Sequence, residues 1–232
     1  MKPDISIVIL CYKAQEKIRG FVDKTLKSID GVIPSWEIIL VGNYLENTGD
    51  VTPEVVRDIA SKNSNIKCVT RIKEGMMGWD ARSGFEKATG RYICLIDGDE
   101  QMPPEDIIRV YKKITDENLN FVTTYRMIRH DGIKRKFISN IYNMVFKILF
   151  PGTGVRDVNS KPKIFEKEAL DKMCLKSDDW FLDAEMVIKA RRLKLKIGEV
   201  PTEFYKCPHR RSFVKFSAIF EFVINLFKAR FG

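Results

Sequence analysis

The chain has 232 residues, 44% hydrophobic and 31% charged, which suits one domain with a packed core and argues against wholesale disorder. Lys and Arg number 40 against 31 Asp and Glu, a net charge of +9, and that sign points to an anionic partner: nucleic acid, phosphorylated substrate or acidic lipid. Five widely spaced cysteines without a C-x-x-C pair (Cys11, Cys68, Cys94, Cys174, Cys207) argue against a disulfide framework or zinc module, and neither an N-terminal leader nor a run of about 18 apolar residues is visible.

In chain order, Ile5–Leu10 is a β-branched run that reads as a buried strand, and a helix is predicted over 14–29. Trp36–Val41 is a second strand, ended by Gly42 and Asn43. Pro53 suits the first position of a helix over 53–62. Ile66–Thr70 is a third strand. Residues 79–89 read as a helix closed by Gly90, with Gly84 and Ala88 as close-packing positions. Arg91–Ile96 is a fourth strand that runs straight into Asp97-Gly98-Asp99-Glu100. Pro103 and Pro104 open a helix over 104–117, and Phe121–Tyr125 is a fifth strand. This alternation predicts an α/β fold, a mostly parallel sheet with helices on both faces. The rhythm then breaks, with helices near 136–149, 166–173 and 181–193 and a strand near 197–205. Residues 1–212 are expected to form the domain, and 213–232 a C-terminal amphipathic helix.

The positive charge is concentrated. Residues 126–150 carry six basic side chains against Asp131, and residues 201–232 carry six against Glu203 and Glu221. The second segment also holds seven of the 15 Phe. Phe213, Phe216, Phe220, Val223, Ile224, Phe227 and Phe231 recur at three and four residues, one face of a helix flanked by Lys215, Lys228 and Arg230. Such a helix has the form of an interfacial anchor. Ile138, Ile141, Tyr142, Val145, Ile148 and Leu149 form a similar stripe, which reads equally well as a core helix.

Asp97 and Asp99 sit where a buried strand meets a loop, the rim at which open α/β sheets bind ligands. Two carboxylates joined by Gly98 can turn onto one point, as Mg²⁺ or Mn²⁺ requires, and Gln101 adds an amide oxygen. His130 and His209 lie in unrelated segments and support neither a zinc site nor a Ser-His-Asp triad.

These segments together resemble the inverting family 2 glycosyltransferases of GT-A (Rossmann-like) fold, most closely the branch of dolichyl-phosphate mannose synthase and polyprenyl-phosphate sugar transferases. The resemblance spans about residues 4–215. It is carried by "ISIVILCYKAQEKI", "GWDARSGFEKATGRYICLIDGDEQMPPE", "KRKFISNIYNMVFKILF", "GVRDVNSKPKIFEKEAL" and "DWFLDAEMVIKARRLKLKIGEVPTEF". It implies a metal-dependent transferase in which Asp97, Asp99 and Gln101 hold Mg²⁺ or Mn²⁺ on the donor diphosphate. Leu10, Tyr12, Asn43 and Gly98 would line the donor site, with Tyr12 against the base. Arg126 and Arg135 would pair with phosphate oxygens, and Arg210, Arg211 and Ser212 resemble a basic loop that closes over the donor. Where the family carries adjacent Asp residues, this chain has Gly42-Asn43, so the base is open.

A lipid phosphate acceptor is already anionic and needs no base, whereas a saccharide hydroxyl needs a carboxylate, for which Asp183 and Glu185 are the candidates. The expected partners are a nucleotide-sugar donor and a lipid phosphate, with peripheral contact on the cytoplasmic face of a membrane. The alternatives are transfer to a saccharide hydroxyl, or a non-catalytic basic domain that binds nucleic acid. Against the latter, the sequence has no helix-turn-helix, RNA-binding sheet or zinc signature.

Overall fold

The structure is a computed structural model, and it describes residues 2–206 and 216–231. A seven-stranded sheet runs β3-β2-β1-β4-β6-β5-β7. Its strands are β1 Ile5–Leu10, β2 Trp36–Val41, β3 Ile66–Val69, β4 Tyr92–Asp97, β5 Phe121–Arg129, β6 Lys163–Glu166 and β7 Ile197–Phe204. The first four pair in parallel, with β1 between β2 and β4. β5 and β7 are parallel to each other, with a register shift at Arg126/Ile128. β6 lies antiparallel to both β4 and β5 and joins the two parallel sets.

β6 is a correction to the expected element list. Four residues, Lys163-Ile164-Phe165-Glu166, carry no period-2 signal, and the strand exists because its neighbours supply both edges.

Alternation along the strands sorts side chains into two cores. Ile5, Ile7, Ile9, Ile38, Leu40, Cys94 and Ile96 face one core, with Phe21 and Ile29 of α1 (Lys17–Ile29), Val56 of α2 (Thr52–Ser61) and Val110 of α4 (Asp106–Asp116). Val8, Leu10, Ile39, Val41, Ile93 and Leu95 face the other. There they meet α3 (Met77–Lys87), α5 (Ile133–Leu149), α6 (Lys167–Met173), α7 (Leu182–Arg192) and α8 (Phe216–Phe231). Gly84 fits as the spacing predicts: a Cβ there would lie 2.4 Å from Val8 Cγ1, so α3 rides directly on β1 and β2.

α5 carries two apolar faces where one was expected. Tyr142, Phe146 and Phe150 are buried, while Ile133, Phe137, Ile141, Met144 and Ile148 are 42–87% exposed. α8 lies against α5. It buries Leu226 and leaves Ile224, Phe227 and Phe231 exposed. The described residues contain no helix long and apolar enough to cross a membrane. Cys11, Cys68, Cys94 and Cys174 are free thiols.

Candidate active site

Leu10 and Asp97 are register partners at the carboxyl ends of β1 and β4, and Val41 of β2 is level with Leu10. One rim of the sheet therefore gathers the ends of three central strands. The loop that follows β4 is pinned to this rim: the Gly98 N–H donates to the Leu10 carbonyl at 2.9 Å. A Cβ on Gly98 would meet Ile18 Cδ1 at 2.7 Å and Leu10 O at 3.2 Å, so the chain passes closer to β1 than a side chain allows.

Asp97 is 35% exposed. Asp99 accepts the Gln101 backbone N–H on Oδ1 at 3.1 Å. The Gln101 side-chain amide donates to the Tyr205 carbonyl at 3.1 Å, and the Tyr205 N–H returns to the Gln101 carbonyl at 2.8 Å. Gln101 thereby ties the acidic loop to the end of β7. Among the described residues no three His, Cys, Asp or Glu side chains converge on one point. Two hard carboxylates at an open rim fit an ion that completes its shell with substrate phosphates and water, as Mg²⁺ and Mn²⁺ do, and do not fit a closed protein cage.

Beneath Asp97 lies a buried ion cluster. Asp183, at the start of α7, accepts from Lys161 at 3.0 Å on Oδ2 and from Lys163 at 2.6 Å on Oδ1. Lys161 Nζ also stands 3.4 Å from Asp97 Oδ2. Burial pushes the Asp183 carboxyl up, but the two lysines more than reverse this and hold it below its ordinary value. Burial likewise works against the charge of Lys161, and Asp183 and Asp97 outweigh it, raising that ammonium above the ordinary lysine value. Both Asp183 oxygens are thus committed to cations, which is a poor state for a general base.

Glu185 has a structural task. It accepts the backbone N–H groups of Lys176 and Ser177 at 2.8–3.1 Å and pairs with Lys189 at 2.7 Å. Those bonds hold the loop before α7, whose Asp178 and Asp179 carbonyls in turn accept the Met76, Gly78 and Trp79 N–H groups at the start of α3. The sequence placed this glutamate beside the chemistry, and the structure spends it on a loop.

Two expected donor contacts are also engaged internally. Asn43 is fully buried. Its amide donates to Asp80 Oδ1 and Ser83 Oγ, each at 3.0 Å, and its Oδ1 accepts the Arg71 N–H at 2.8 Å, so neither amide N–H is left for a base edge. Arg126 closes in bidentate fashion on Asp157 at 2.6 and 2.7 Å and also donates to Ser139 at 3.2 Å. Arg135 is 40% exposed and 3.9 Å from Asp131, whose nearer partner is Arg129 at 2.7 Å. Tyr12 sits under Lys73, whose Nζ is 4.6 Å from the ring centroid and is ion-paired with Asp80. Arg210 and Arg211 lie outside the described residues.

The residues that sequence reasoning passed over are Lys73, Asp157, Lys161 and Lys163. The signal for the last two was two lysines flanking Pro162 in a segment with an apolar Ile164-Phe165 centre.

The profile of Glycosyl transferase family 2 matches residues 6–174. The undecaprenyl-phosphate 4-deoxy-4-formamido-L-arabinose transferase of Salmonella choleraesuis (strain SC-B67) is 27% identical over 171 residues, which are 73% of this chain and 50% of that protein. The chain therefore spans about half the length of the curated relatives it matches. Glucosyl-3-phosphoglycerate synthase from Mycobacterium tuberculosis, solved with Mn²⁺, uridine diphosphate and phosphoglyceric acid, superposes with a TM-score of 0.73 at 18% identity, covering 98% of this chain and 78% of that one. The same synthase with Mg²⁺ and uridine diphosphate gives 0.71 at 16% identity, covering 98% and 79%. The fold is that of the GT-A glycosyltransferases.

Proposed function

The chain belongs to glycosyl transferase family 2, and we propose that it moves a sugar from a nucleoside diphosphate sugar to a polyprenyl phosphate at a membrane surface. The observation that carries this reading is the placement of Asp97 and Asp99 at the open carboxyl end of β4, on a loop locked to β1 by Gly98.

A Mg²⁺ or Mn²⁺ ion bound by Asp97 and Asp99 would supply positive charge where the diphosphate departs. The ions and the uridine diphosphate seen with the mycobacterial synthase support that assignment. Gln101 holds the loop to β7, and Gly98 keeps both carboxylates on the rim. Tyr12 offers a ring for the base, next to the Leu10 end of β1. Arg135, half exposed, can turn to a phosphate, and Arg210 and Arg211 retain their proposed role as donor contacts.

The acceptor follows from Asp183. With both oxygens held by lysines, Asp183 is poorly placed to take a hydroxyl proton, and a lipid phosphate needs no base. The Salmonella relative, named as an undecaprenyl-phosphate sugar transferase, supports the same class.

The exposed faces of α5 and α8 support the membrane contact. Phe137, Ile141, Met144 and Ile148 on one helix and Ile224, Phe227 and Phe231 on the other lie on neighbouring elements. Lys136, Lys147, Lys228 and Arg230 are exposed on the same helices. A cavity of about 490 Å³ lined by Asn140, Asn143, Lys147 and Arg156 opens beside Met144 and Ile148, suited to a headgroup. Five widely spaced cysteines without a C-x-x-C pair fit a reducing compartment, and the reading puts this contact on the cytoplasmic face.

Incubating the full chain with a panel of nucleotide sugars and Mn²⁺, with and without polyprenyl phosphate, tests the proposal. Lipid-dependent release of one nucleoside diphosphate is expected. Equal release with a soluble saccharide would reassign the acceptor.

A further inference from the structure

The floor of the acidic loop holds a cation to which the transfer chemistry above assigns no task. Lys161 is 4% exposed. Its Nζ lies 3.0 Å from Asp183 Oδ2 and 3.4 Å from Asp97 Oδ2. Lys163, fully buried, takes the other Asp183 oxygen at 2.6 Å. Two lysines thus stand against one aspartate, and Lys161 reaches Asp97 as its second carboxylate.

This arrangement changes what a bare divalent ion meets at the rim. One of its two carboxylates is already shared with a fixed ammonium. Among the described residues no third carboxylate, imidazole or thiolate joins them to complete a site. Two carboxylates, one of them half neutralised and backed by a like charge, bind a free dication weakly. A diphosphate would alter the balance, since its oxygens could share the ion with Asp97 and Asp99 and offer Lys161 a second anionic partner.

Resting on the donor-site reading above, we propose that Lys161 is a positioning residue that withholds Asp97 from a bare ion and so makes divalent-metal binding depend on the nucleoside diphosphate. The metal then arrives with the donor, and the site stays closed to free ions between turnovers. Among the described residues, the carboxylates paired with the buried Lys161 ammonium are Asp97 and Asp183.

Mn²⁺ binding, followed by loss of the free-ion electron paramagnetic resonance signal, tests this without an activity assay. The titrations use the full chain alone and with uridine, guanosine or thymidine diphosphate, corrected for Mn²⁺ held by free nucleotide. The wild type should bind Mn²⁺ at least about tenfold tighter with the preferred diphosphate than without it. Lys161→Met, which leaves Asp183 paired with Lys163, should bind bare Mn²⁺ about tenfold tighter than wild type, the effect of removing one opposed charge within a few ångströms. It should then gain little from nucleotide, whereas Lys161→Arg should behave as wild type. Equal wild-type affinity with and without nucleotide overturns the proposal, and this measurement needs no variant. So does a folded Lys161→Met chain that binds bare Mn²⁺ no tighter than wild type. Failure of the wild type to bind any diphosphate, with or without Mn²⁺, would instead remove the donor-site reading itself.

Discussion

The Asn43 amide donates to Asp80 Oδ1 at 3.0 Å, inside the domain and away from solvent. The position at which the family carries an acid is therefore filled by an amide, and its acidic partner comes from α3. Asp80 in turn pairs with Lys73, which covers Tyr12. Burial raises the Asp80 carboxyl, with Lys73 and Asn43 only partly offsetting it. Asn43, expected at the base, instead braces Asp80 and, through Lys73, the Tyr12 ring.

Asn43→Asp would set two carboxylates against each other at that distance. The pair would titrate above the range of an unfolded aspartate, so its cost is absent below the unfolded value and complete once pH passes the raised one. Urea unfolding should show a loss of about 1–3 kcal/mol at pH 8 and a much smaller one near pH 4. An equal loss at both would show that the charge of Asp80 is not what Asn43 supports.

Arg126 and Asp157 predict the acid limb. Burial alone would raise the Asp157 carboxyl, but Arg126 outweighs it and holds it at about 2 against an ordinary value of 3.8. A depressed folded value stabilises above the unfolded one and is lost as pH falls through the folded one. The pair should therefore contribute about 2 kcal/mol above pH 4, fading toward pH 2. Asp157→Asn leaves Arg126 buried without its counter-ion and should cost roughly 3–5 kcal/mol at pH 7. Its difference from wild type should narrow below pH 4. A constant difference across that range would contradict the assignment.

Much of this architecture is legible along the chain. Ile5–Leu10 and Arg91–Ile96 are read as buried strands because continuous β-branched and apolar runs have few other homes, and the rim position of Asp97 follows at once. What eludes the sequence is non-local. Lys163 can be fully buried only because Asp183, 20 residues on, answers it. Arg126 looks like a free phosphate contact until Asp157, 31 residues away, folds back onto it. α5 carries apolar residues on two sides, so periodicity reports a stripe without saying which side meets the core. Of the C-terminal stripe, Ile224, Phe227 and Phe231 are exposed on α8, and Phe213 lies outside the described residues.

Gly98→Ala probes the lock between β4 and β1. The added methyl must displace Ile18 or the loop itself. Thermal unfolding should show a modest loss, about 1–3 kcal/mol. Transfer should fall at least about tenfold, because both carboxylates move with the loop. Unchanged activity alongside unchanged stability would mean that the close approach is not needed.

The exposed faces give a separable prediction. Phe137→Glu and Ile148→Glu alter side chains 64% and 70% exposed, so thermal stability should change by less than about 0.5 kcal/mol. Flotation of the full chain with anionic liposomes should be strong for wild type and largely lost in either variant. Undiminished flotation would remove α5 from the membrane surface.

The central claim is that Asp97 and Asp99 carry the metal-dependent step, and the most direct measurement is transfer of labelled sugar to polyprenyl phosphate by Asp99→Asn and Asp97→Asn at saturating Mn²⁺. Each should cost several kcal/mol in the transition state, a loss of about a thousandfold or more, with unfolding curves close to wild type. Full transfer by Asp99→Asn in the presence of EDTA would contradict the account.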